Sequence, residues 1–176
     1  SAVQGLLLAG MLAACTLLLS GCAAKTDCGA ASPYKPTTSR EYNCYAYALG
    51  ETEWKFVGGR EGAVQDFSVE NVAQMVLDDA KADGRAMRII DSYDSPINAN
   101  EYRIALRTAL RPGNEDYHFM LQHSDGSWSH KPGTLPSRLI DGDNPSKITW
   151  DASSMIEGLT FVNYYNSKTV YFAVTK

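Results

Sequence analysis

One cysteine and two histidines carry most of the chemistry in this 176-residue chain. The stretch "YNCYAYALG", residues 42–50, sets Cys44 between Asn43 and Tyr45. Asn43 suits a helix N-cap and Gly50 a left-handed C-terminal residue, so Cys44 falls in the first turn of a short helix. The thiolate is the nucleophilic form of cysteine, and a helix N-terminus or a nearby imidazolium favours it. The second stretch, "DYHFMLQHSDGSWSHKPG", residues 116–133, holds all three histidines.

"YHFMLQH", 117–123, and "SWSHK", 127–131, flank "SDG" and read as a β-hairpin. Alternation puts His118, Met120 and Gln122 on one face, and Tyr117, Phe119, Leu121 and His123 on the other. A two-residue loop would pair Leu121 with His130. A three-residue Ser124-Asp125-Gly126 loop, with Gly126 at positive φ, pairs Met120 with His130 instead. His130 then lies diagonally across from His118, at a Cβ separation of about 7–8 Å. Pro132 ends the ladder.

His118 is thus the candidate general base or imidazolium for Cys44, and His130 the residue that orients its ring. Asp116, on the His118 face, is the reserve orienter. Backbone N–H groups at the helix start are candidate oxyanion donors. Trp128, on the His130 face, and Tyr42 are expected to wall the substrate cleft, and His123 to sit at the surface or rim. Two other readings compete. A Cys28–Cys44 disulfide would disable the nucleophile and leave an inactive binding module. A zinc site from Asp116, His118 and His130 lacks a recognisable ligand spacing. No metal or cofactor is expected.

A cysteine at a helix start, a histidine on a strand and a polar residue on the next strand resemble the NlpC/P60 and CHAP branches of papain-like cysteine hydrolases. "NCYAYAL" and "DYHFMLQHSDGSWSHKPG" carry the resemblance, about 25 of 176 residues. The 12-residue step from His118 to His130 is similar to the spacing in NlpC/P60 domains, while "NCYA" is nearer the CHAP style. The resemblance implies an amide or peptide hydrolase with a Cys44–His118–His130 triad. It also implies peptidoglycan peptides as a substrate class.

The elements that must position these residues follow from period. "SVENVAQMVLDDAKADG" repeats its apolar residues at i, i+3, i+4 and i+7, with Ser68 as its expected cap and Gly84 at its end. "EYRIALRTAL", 101–110, alternates as a strand, and "TVYFAVT", 169–175, is a terminal strand. The result is an α+β domain, papain-like in the resemblance, with the cysteine-bearing helix packed on an antiparallel sheet. Net charge −4 without a Lys/Arg cluster gives no footprint for nucleic acid.

Residues 1–21 contain no charged side chain and end in "LSGC", which resembles a bacterial lipobox. The expected organisation is a lipoprotein signal peptide over 1–21, lipid on Cys22, a flexible tether over 22–41 and the hydrolase domain over 42–176. Membrane attachment through Cys22 implies the bacterial cell envelope: the outer membrane or periplasm in a diderm host, the cell surface in a monoderm one.

Overall fold

The computed structural model describes residues 27–140 and 168–176; the expected leader and Cys22 lie outside them. Two helices, α1 (Cys44–Leu49) and α2 (Val69–Ala82), precede six strands. These are β1 (Met87–Ile90), β2 (Glu101–Ala109), β3 (Asp116–Gln122), β4 (Trp128–His130), β5 (Arg138–Ile140) and β6 (Val170–Thr175). The strands form one sheet in the order β1-β6-β2-β3-β4-β5, every pair antiparallel. The α+β architecture with its antiparallel sheet is as the periodicities predict. Among the described residues no helix is long and apolar enough to cross a membrane.

The short helix closes at both ends as its sequence dictates. Asn43 Oδ1 accepts the Ala46 N–H at 3.1 Å, and Gly50 takes φ 72°. Such a cap contributes about 1 kcal/mol. The longer helix starts at Val69 without the expected Ser68 side-chain cap. Ser68 Oγ instead donates to Asp66 at 2.9 Å, while Asn71 Nδ2 donates to the Asp66 carbonyl. A serine hydroxyl with a carboxylate in reach prefers that stronger acceptor.

The apolar residues of both helices pack with Tyr102, Ile104, Leu106, Phe119, Phe172 and Val174 on one face of the sheet. The other face has its own core of Ala105, Met120, Trp128, Ile140, Tyr171 and Ala173. Every residue of β2 is therefore buried, including Arg103 and Arg107. Arg103 is satisfied by the carbonyls of Asp27 and Ser95 and by Gln122 Oε1 at 2.7–2.8 Å.

Among the described residues, packing against the sheet reaches back beyond Tyr42 to Asp27. Residues 27–41, expected as a tether, run against the sheet: Ala30 N–H donates to Glu101 O, Ser124 N–H to Ser32 O and Ser137 N–H to Thr37 O. Gly29 lies so close to β2 that a Cβ there would stand 2.2 Å from the Glu101 carbonyl oxygen.

Candidate active site

The hairpin has the three-residue loop. Met120 pairs with His130 and Gln122 with Trp128, Gly126 N–H donates to His123 O, and Gly126 takes φ 88°. Asp125 rigidifies the turn by accepting from Ser127 N–H at 3.0 Å and Ser127 Oγ at 2.6 Å. With that register His118 and His130 meet: His118 Nε2 lies 3.0 Å from His130 Nδ1, with ring planes at 78°.

Both rings are buried, and both are held neutral. Burial pushes His118 well below the usual histidine range, and His130 and the Arg107 guanidinium add to it. Burial, with the Arg138 charge, brings His130 down to about 3. The His118–His130 bond is thus one between neutral imidazoles, in which one ring nitrogen donates and the other accepts. Since Nε2 of His118 is engaged there, any exchange of a proton with a thiol falls to Nδ1.

Cys44 sits at the edge of β3. The β3–β4 ladder stops at Met120 and His130, and one step on, Pro132 would oppose His118 without an N–H to offer. Cys44 Sγ faces this unladdered edge, 3.9 Å from the Tyr117 carbonyl oxygen. Tyr117 and Phe119 pack with Cys44 and Tyr45 on the helix face, whereas His118 turns to the opposite face with His130. The two meet at the strand edge, where Cys44, His118, Asp116, Phe67, Pro132 and Gly133 help line one cleft of about 440 Å³. No imidazole nitrogen is in hydrogen-bonding geometry with the sulfur.

The thiol is protonated at rest. Its 6% exposure raises its pKa to about 12 through desolvation; the Asp116 charge adds, and the backbone N–H groups of Phe119, Tyr45 and Cys44 pull the other way. Cys28 and Cys44 are not bonded to each other. Cys28 lies by Arg103, four residues along β2 from the Arg107 that pairs with His118. Four strand residues span roughly 13 Å, beyond disulfide reach.

Other expected site residues fall elsewhere. Trp128 is fully buried in the second core, 6.2 Å from the Tyr171 ring and clustered with Met120 and Ile140. Tyr42 borders a larger cavity, of about 710 Å³, behind α1, and donates to Thr37 Oγ1. Asp116 accepts the Tyr117 N–H and faces the cleft. His123 is buried, not at the rim: its Nε2 lies 2.6 Å from Ser129 Oγ and its Nδ1 3.2 Å from Ser32 O, and Tyr47 completes the network at 2.7 Å. Among the described residues no group of three His, Cys, Asp or Glu side chains is placed to hold a metal ion, so the zinc arrangement is not formed.

Lys131 escapes the sequence reading. It shares the α1-facing side of the hairpin with Ser129, is fully buried, and donates to Gly133 O at 2.7 Å with its ammonium 5.0 Å from the Tyr42 ring centre. Strand alternation from Ser129 is the signal that would have found it. No family model matches this chain, and comparison with curated proteins and with solved structures finds no match.

Proposed function

We propose that this chain is a papain-like cysteine hydrolase of amide bonds, with Cys44 as nucleophile, His118 as general base and His130 as orienter. The observation that carries the reading is the 3.0 Å His118–His130 contact beside a cleft that Cys44 also lines. In this mechanism the neutral His118 takes the Cys44 proton at Nδ1 as sulfur attacks the acyl carbonyl. The same nitrogen then returns that proton to the leaving amine. His130 holds the ring through Nε2. Water, deprotonated by His118, cleaves the thioester and frees the thiol. Peptide stems of peptidoglycan are the proposed substrate class, and the "LSGC" sequence supports lipid attachment at Cys22 in a bacterial envelope.

A second reading has a specific observation behind it. A thiol bonded to a backbone carbonyl, with its pKa raised to about 12, fits an inactive lipoprotein binding module. With no bond between Cys28 and Cys44, that pairing drops out of this reading. Turnover of purified muropeptides separates the readings. Cys44→Ala and His118→Ala should each abolish it, the double variant should be little worse, and His130→Ala should retain more. Near-normal turnover by Cys44→Ala, or none by the wild type, overturns the hydrolase reading.

A further inference from the structure

Lysine is almost never sealed from water without an anionic partner. Lys131 is sealed at 0% exposure, yet no carboxylate among the described residues pairs with it: there, one carbonyl, Gly133 O, and the Tyr42 ring hold its ammonium. A buried charge in that state is costly unless an anion forms beside it. The place of that anion follows from the strand. Lys131 follows His130 directly, so the two side chains point to opposite faces. His130 reaches His118 on one face, and Lys131 lies on the other, where Tyr42 leads into Cys44 and Gly133 borders the cleft.

Resting on the Cys44–His118 reading above, we infer that Lys131 is the positioning residue that stabilises the Cys44 thiolate. His118 and His130 cannot supply a standing positive charge, since both are held neutral. The other titratable groups lining the cleft beside the thiol are the acidic Asp116, Glu115 and Glu61 and the Tyr117 phenol, and the Asp116 charge acts on the thiol. Among the described residues, Lys131 is the cation set against that group. An ionised Cys44 strengthens proton binding at Lys131, and by reciprocity the ammonium eases ionisation of Cys44. One dipeptide, His130-Lys131, thus serves both partners of the reaction. His130 fixes the base, and Lys131 supplies the charge that the emerging thiolate needs.

The test is the pH profile of Cys44 alkylation by iodoacetamide, with the site identified by mass spectrometry. At pH 8, where Lys131 still carries its charge, Lys131→Met should slow alkylation roughly tenfold, and Lys131→Arg should restore most of that loss. A folded Lys131→Met protein with the wild-type rate at that pH overturns the inference. His118→Ala is the arm that tests the triad separately. If it leaves alkylation and turnover unchanged while Lys131→Met slows alkylation, the base assignment fails and the Lys131 role stands. If Lys131→Met does not fold, Lys131→Gln takes its place: it should slow alkylation at pH 8 in the same way, and a wild-type rate overturns the inference.

Discussion

A buried imidazole that is held neutral makes stability depend on pH. His118, His123 and His130 all have pKa values lowered mainly by burial. In the unfolded chain they take up protons near pH 6.5, and in the folded protein at lower pH, far lower for His118 and His130. The sign follows: their contribution is fully present above pH 6.5 and is lost as pH falls toward the folded values. Each such histidine costs about 1.4 kcal/mol per pH unit below 6.5. Urea unfolding between pH 6.5 and 5 should therefore show a steep fall in stability, before most carboxylates titrate. Replacing His123 by Gln, which keeps a polar partner for Ser129, should flatten that slope. A stability curve flat from pH 7.5 to 5 would contradict the neutral assignment. The His118–His130 pair was legible in the sequence because a three-residue turn dictates which side chains share a face. The His123 position was not, because alternation names a face without saying what covers it. Ser32, 91 residues away, does the covering.

At the scale of the element, the hairpin and the N-terminal strap use glycine for different reasons. Gly126 occupies a positive-φ turn position with open space around it, so Gly126→Ala should cost only the conformational penalty of about 1 kcal/mol. Gly29 has a positive φ as well, but a Cβ there would also collide with the carbonyls of Glu101 and Asn98. Gly29→Ala should cost at least twice as much in thermal or urea unfolding, and equal losses at the two sites would disprove the close-approach account. Both helices, the hairpin, its register and the terminal strand could be read from period and turn chemistry. The short strands β1 and β5 could not, since each is only a few residues long and is specified by its partner. Arg103 and Arg107 alternate with Tyr102, Ile104 and Leu106, and period alone does not show that Ile90, Tyr171 and Ile140 form a second core on the arginine side.

On the scale of the whole molecule, both faces of the sheet carry buried side chains, and the N-terminal strap bonds to residues around them. The Asp27 carbonyl accepts from the buried Arg103 guanidinium, the Ser32 carbonyl from Ser124 N–H, and the Tyr34 ring packs edge-on at 5.2 Å against His123. Tyr34 and Thr37 then bond to Ser137, which holds the strap across the sheet as far as the start of β5. Removing residues 27–37 would deprive Arg103 of one acceptor while leaving it among buried neighbours, and would open the His123 network to solvent. A buried charge that loses a partner costs several kcal/mol. A chain starting at Asp27 should therefore unfold at clearly higher urea concentration than one starting at Thr38, by an amount equivalent to at least 3 kcal/mol. Supplying residues 27–37 as a separate peptide should recover part of the difference by binding the vacated groove. The same urea midpoint for both chains would return residues 27–37 to the status of a tether. It would also leave the burial of Arg103 to be explained by Ser95 and Gln122 alone.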